Sequence, residues 1–229
     1  EDGTLANPYN TIQEAANVAV SGDVVLIRAG NYREEVKMPA NGVTYQPYQN
    51  ESVTINGTEQ LTGWTAVPGG QVFQATMTWN APEANQLFSN KIMINQARWP
   101  NQTSADLISP TDGVAASATP SGNYFILKCD AFNEPDGRWT GADIWVNLSR
   151  KVGTDGQGWT GKVISTNQSA KTITVDFLEP PRFGRQPWSV GEGTEFFMFN
   201  PTKAGVDATG GVNTLLDNGE WWKDGSTIY

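Results

Sequence analysis

Apolar residues in this chain come in short runs, and turn-forming residues interrupt them from end to end. There are 24 glycines and 13 prolines in 229 residues, while only 17% of the chain is charged. A helical bundle needs long amphipathic segments with charged outer faces, so this texture points to an all-β protein. One segment departs from it. Residues 10–19 place Ile12, Ala15, Ala16 and Ala19 on one helical stripe. Asn10 or Thr11 can cap it, Glu14 lies in its first turn, and Ser21-Gly22-Asp23 ends it. No second helix is expected.

The runs change character along the chain. Early strands are expected at 24–27, 32–36, 43–45 and 53–55, divided at Ala29-Gly30 and Asn41-Gly42 and followed by Asn56-Gly57. Short strands at near-even spacing after a helix suggest stacked coils of a solenoid, with the amphipathic helix as the cap such a stack needs. From Trp64, the first of nine tryptophans, longer runs appear at 91–95, 124–128, 143–149, 161–165, 172–177 and 194–200. Residues 166–170 read as a hairpin connection. Ile144-Trp145-Val146-Asn147-Leu148 and Lys171 to Phe177 alternate as half-buried antiparallel strands of a sandwich or barrel do, and Trp145 is assigned to its core. The expected domains are therefore 1–63 and 64–229, with Pro68-Gly69-Gly70 just past the boundary.

Composition narrows the function. The net charge of −9 argues against a nucleic-acid partner, because neutralising phosphates requires a basic face. No apolar run approaches the roughly 18 residues of a membrane helix, so no membrane insertion is expected. The chain has no histidine, which excludes a histidine base, a Ser-His-Asp triad and histidine zinc ligands within it. Its one cysteine, Cys129, cannot form an internal disulfide and reads as a thiol at the edge of the core.

The opening segment carries a resemblance. Asp2-Gly3-Thr4, Asn7-Pro8-Tyr9, Thr11-Ile12-Gln13-Glu14-Ala15, Gly22-Asp23 and Arg28-Ala29-Gly30-Asn31-Tyr32-Arg33-Glu34 resemble the N-terminal cap and first coil of right-handed parallel β-helix proteins of the pectate-lyase-like superfamily. The later stretches around Ile55-Asn56-Gly57, Lys91–Asn101, Thr140–Ser149 and Asn218–Tyr229 resemble β-helix glycoside hydrolases that carry an inserted β-sandwich or barrel domain. The resemblance implies a right-handed parallel β-helix start with a capping helix, followed by an inserted antiparallel β-domain that returns toward the β-helix at its C-terminal end. It also implies an extracellular, secreted or cell-surface protein acting on a polysaccharide or glycan, of the glycoside hydrolase or polysaccharide lyase type. In these families the catalytic acids lie on later coils, so the chain reads as an N-terminal portion and no catalytic residue is assigned. Two readings of other classes stand beside this one. A structural surface protein (adhesin, surface layer or filament subunit) would self-associate through an uncapped coil end. A non-catalytic carbohydrate-binding module would bind glycans without turnover.

Candidate glycan contacts follow from chemistry. Aromatic faces stack on sugars, while amides, carboxylates and guanidinium groups bond the hydroxyls. Arg98 and Trp99 offer a platform beside a cation, or else a strand-end anchor. Trp221 and Trp222 adjoin in an extended segment, so one is expected in the core and the other, Trp222 by preference, exposed for contact. Trp139, Trp159 and Trp188 lie in Gly- and Pro-rich loops, where binding residues concentrate. Asp130, Glu134, Asp136 and Asp143 offer oxygen ligands that could hold Ca²⁺, although their spacing lacks the regular calcium-loop pattern and reads more simply as a solvated acidic loop. Five Asn-x-Ser/Thr sequons occur, at Asn50, Asn56, Asn101, Asn147 and Asn167.

Overall fold

The fold is that of a computed structural model, which describes residues 1–79, 86–101, 115, 117–121, 124–147, 158–177, 190 and 192–229, without the side chains of Pro120 and Trp159. It is predominantly β, and it divides into two compact units, Glu1–Leu61 and Thr62–Tyr229. Among the described residues no helix is long and apolar enough to cross a membrane.

Unit 1 begins with helix α1 (Ile12–Val18). Thr11 caps it in a reciprocal capping box with Glu14, which satisfies two otherwise unpaired amides. Ile12 and Ala16, one turn apart, are its buried residues. Four strands follow: β1 (Val24–Ile27), β2 (Gly30–Tyr32), β3 (Thr44–Pro47) and β4 (Val53–Ile55). They form two parallel pairs, β1 with β3 and β2 with β4, so that Val24 lies beside Thr44 and Gly30 beside Val53. Side chains tie one turn of chain to the next. Arg28 donates through Nε to Glu51, which also accepts from the Ala29 amide, and Arg33 reaches Thr58. The strand expected at 32–36 stops at Tyr32. Beyond it, the Glu34 carboxylate accepts from the Ile12 and Gln13 amides at 2.9 and 2.8 Å, supplying acceptors that the start of α1 lacks internally.

Unit 2 opens with β5 (Thr65–Ala66), β6 (Phe73–Thr76), β7 (Leu87–Ser89), β8 (Ile92–Gln96) and β9 (Arg98–Trp99). Next come β10 (Ser117–Ser121), β11 (Tyr124–Lys128), β12 (Asp143–Asn147), β13 (Gly158–Asn167), β14 (Thr172–Asp176) and β15 (Glu195–Phe199). Strands β9 to β15 form one antiparallel sheet in the order β10-β11-β14-β13-β12-β15-β9. The Ala115 amide donates to Thr194 and the Ala115 carbonyl accepts from Gly193. Those two bonds bring the approach to β10 beside the approach to β15 and roll the sheet around its core. Leu127, Ile144, Val146, Ile173, Phe196 and Met198 are all fully enclosed there. Burying a large apolar side chain contributes roughly 1.5–3 kcal/mol, and a curled sheet buries one whole face this way. Cys129 is fully buried in this core, not at its edge.

Two short helices complete unit 2, α2 (Lys203–Ala208) and α3 (Val212–Leu215), where no further helix was expected. They are too short to show a helical stripe, and Gly205 sits in the middle of α2. That glycine is required by packing: a Cβ there would lie 2.4 Å from the Arg138 carbonyl oxygen. The last segment comprises β16 (Glu220–Trp221), β17 (Lys223–Asp224) and β18 (Thr227–Ile228). Strand β16 runs parallel to β8, and β18 pairs with β6. The chain therefore ends beside the strands that begin this unit.

Candidate functional site

The tryptophans proposed as glycan platforms turn inward where their side chains are described. Trp99 is 6% exposed and packs edge-on against Phe132, ring centroids 5.1 Å apart, with its indole N–H directed to Asn133. Trp139 is 2% exposed and donates to Glu134. Trp222 is 2% exposed, donates to the Pro201 carbonyl and stacks on Tyr229. A stacking platform must offer an open face, and these rings have none, so they are packing groups. Trp221 is buried as well, with its indole on the Ile94 carbonyl, which corrects the expectation that one of the Trp221-Trp222 pair lies outside. The Trp221 indole is taken up by the β8 backbone at Ile94 and the Trp222 indole by the Pro201 carbonyl. The Trp159 side chain and all of Trp188 lie outside the described residues.

The four acids considered for Ca²⁺ are dispersed. Asp130 pairs with Lys128, and Asp136 accepts from the Gln168 amide. Asp143 pairs with Lys162 at 2.6 Å. Glu134 pairs with Arg138, a buried guanidinium that also bonds Thr209 and Thr214. Among the described residues no group of three or more such side chains comes together as a metal site.

The arrangement with an open side is on the outer face of the rolled sheet. Adjacent residues of a strand face opposite sides, so when Ile144 and Val146 enter the core, Trp145 must face away from it. Trp145 is half-buried there, not in the core as expected. Its cross-strand partner is Phe197, at 5.2 Å between ring centroids, and Phe197 in turn neighbours Phe199 at 5.6 Å. Gly158 makes room for the indole, because a Cβ there would lie 2.4 Å from the Trp145 ring nitrogen. Arg98, 8% exposed, carries its guanidinium over the Phe197 ring. Polar groups border the row. Asn147 donates to Glu195, and Asn200 donates to Asp143, which holds Lys162. Gln96 bonds Asn200 in turn.

Glu220 stands at the end of this row, next to Arg98. Burial, the largest influence, pushes its carboxyl up to about 7, and nearby Asp217 adds to the rise. Hydrogen bonds from the Asp217 and Arg98 backbones and the Arg98 charge oppose it. Burial also lowers the Arg98 guanidinium from its ordinary value. The outer face thus combines half-buried aromatic rings with the bordering amides and the Asp143–Lys162 pair, while the buried Arg98 backs the Phe197 ring. Those are groups that can stack on and hydrogen-bond a polyhydroxylated ligand.

Comparison with known proteins places few limits on this reading. No family model matches the chain, and no solved structure matches it. The chain is similar to a Bacillus subtilis (strain 168) protein described as uncharacterized protein YwoF, 34% identical over 61 residues. That match covers 24% of this chain and 13% of the Bacillus protein, so the chain spans a small part of that relative's length.

Proposed function

We propose that this chain is the N-terminal portion of an extracellular carbohydrate-active protein, with a right-handed parallel β-helix begun by unit 1 and a glycan-contacting β-domain, unit 2, inserted between its coils. The observation that carries the glycan reading is the half-buried outer row Trp145–Phe197–Phe199, bordered by Asn147, Asp143 and Lys162. The stacked parallel pairs β1–β3 and β2–β4 support a solenoid start. The pairing of β18 with β6 and of β16 with β8 supports insertion, because an inserted domain must give the chain back near where it received it. Glycoside hydrolase or polysaccharide lyase chemistry would reside on further coils. Calorimetric titration of the 229-residue chain with neutral and acidic oligosaccharides tests the reading. Saturable binding to one class is expected, and no heat with any of them overturns it.

A structural role has one observation in its favour. Val24 and Leu26, on the same side of β1, are 54% and 49% exposed, an apolar strip on a strand of a two-stranded sheet. If that strip joins copies of the chain, light scattering will show concentration-dependent oligomers, and a monomer at every concentration removes this alternative.

A further inference from the structure

Three Asn-Gly pairs occur in the chain, at Asn41, Asn56 and Asn218. An asparagine before glycine is open to attack by the following backbone nitrogen, because glycine has no Cβ to obstruct the approach. The structure sets Asn56 apart from the other two. It lies just past β4, where its own amide donates to the Tyr32 carbonyl at 2.8 Å. Its side-chain oxygen Oδ1 accepts twice from Thr58, from the amide at 3.1 Å and from the hydroxyl at 2.7 Å. A backbone N–H can only donate, so the atom it meets is the Asn56 oxygen and not its nitrogen. The Thr58 hydroxyl is itself polarised by the Arg33 guanidinium, whose Nη1 donates to Thr58 Oγ1 at 2.9 Å. Among the described residues the side chains of Asn41 and Asn218 accept no hydrogen bond, and the glycines after them are held at φ 76° and 86°. Gly57 has no such restriction. It is exposed, its φ is not positive, and among the described residues its amide makes no hydrogen bond.

We propose that Asn56 is a self-modification site, where the chain converts its own asparagine to aspartate and isoaspartate, with Thr58 and Arg33 stabilising the oxyanion through which the reaction passes. The Gly57 nitrogen gives its proton to solvent base and attacks Cγ of Asn56. The carbonyl electron pair moves onto Oδ1. As it returns, the bond from Cγ to Nδ2 breaks, and ammonia leaves with a proton taken from water, closing a five-membered succinimide. Water then adds to one of the two imide carbonyls and opens the ring, giving aspartate from one side and isoaspartate from the other. The net change is one water consumed and one ammonia released. Negative charge develops on the atom that already faces two donors and, behind the hydroxyl, a cation. Donors placed in advance stabilise such charge without having to reorganise. The aspartate product puts a new carboxylate beside the Arg33–Thr58 contact, and isoaspartate lengthens the backbone by one carbon at the exit of β4. This inference goes beyond the glycan reading and does not depend on it.

The test is incubation of the full chain in mildly alkaline buffer, with peptide mapping by mass spectrometry and an isoaspartate assay following Asn41, Asn56 and Asn218 separately. In the folded wild type Asn56 is expected to react about tenfold faster than either of the others, the effect of one good hydrogen bond to a developing charge. In concentrated urea that lead should vanish, because the donors are no longer held in place. Thr58→Val keeps the side-chain shape and the amide but removes the hydroxyl, so the rate at Asn56 should fall toward that of the other two. Gly57→Ala, whose methyl would meet no atom within 4 Å, should fold and leave Asn56 intact. Equal rates at the three sites in the folded wild type overturn the proposal, as does an undiminished rate in Thr58→Val or continued reaction in Gly57→Ala. If Thr58→Val does not fold, the wild type in urea decides: loss of the Asn56 lead supports the proposal, and its persistence overturns it.

Discussion

The Arg98 guanidinium carbon lies 4.8 Å from the centroid of the Phe197 ring, so a buried cation and an aromatic face on neighbouring strands hold each other at the end of the outer row. Such a pair contributes about 1–2 kcal/mol when shielded from water. The same guanidinium favours the ionised form of Glu220. Arg98→Met should therefore move the Glu220 titration upward from about 7, read by carbon-13 NMR. A downward move would mean that Arg98 does not act on that carboxyl.

Glu220 also sets a pH dependence of stability. Its carboxyl rises from an ordinary 4.5 in the unfolded chain to about 7 in the folded one. The folded state therefore binds the extra proton. Its stabilising contribution is complete below pH 4.5 and is lost as pH rises through 7. The expected loss is on the order of 2 kcal/mol after allowing for screening at its partly exposed edge. Urea denaturation of wild type and Glu220→Gln should show their difference growing across that window in favour of the glutamine variant. Parallel pH profiles would contradict it.

Gly205→Ala tests the packing of α2. In an open helix interior this substitution stabilises by about 1 kcal/mol. Here the added methyl would meet the Arg138 and Gly137 carbonyl oxygens at 2.4 and 2.8 Å, so the sign reverses. A destabilisation of about 1–3 kcal/mol is expected from the urea midpoint. A more stable variant would place the helix further from that turn.

Arg138→Ala removes the buried cation that joins Glu134 to the carbonyls and hydroxyls of Thr209 and Thr214. Breaking one side of a buried pair costs about 3–5 kcal/mol, because the remaining charge is left without its partner. Thermal or urea denaturation should show a loss of that size, larger than for Lys203→Ala. The Lys203 pairs with Asp207 and Asp224 are exposed.

Much of the strand pattern was legible because alternation is a local signal. The runs at 124–128 and 172–177 became β11 and β14, and residues 166–170 fell in the hairpin between β13 and β14. Strand β10 was missed, since Pro120 argues against a strand; at the edge of the sheet order a missing amide is tolerated. Helices α2 and α3 were missed because four to six residues cannot display a stripe. The candidate site was misread for a different reason. Loop position pointed to Trp139, a neighbouring cation to Trp99 and an extended Trp-Trp pair to Trp222, but side-chain direction depends on which alternate residues the sheet turns toward its core; the other reading of Trp99, a strand-end anchor, agrees with its burial. The alternation of Ile144 and Val146 already placed Trp145 on the other face. The meeting of Arg98 with Phe197 and Glu220 joins strands far apart in sequence, and no spacing reveals it.

The most direct test of the account is to titrate the chain and its Trp145→Ala variant with the oligosaccharide that binds best. The indole lies half-buried on the face of the sheet away from the core, so its removal leaves the enclosed core intact. The account predicts native-like folding with affinity reduced about tenfold, as loss of one stacking ring worth about 1.5 kcal/mol would give. Undiminished affinity in a folded Trp145→Ala protein would contradict the claim that the outer row holds the glycan.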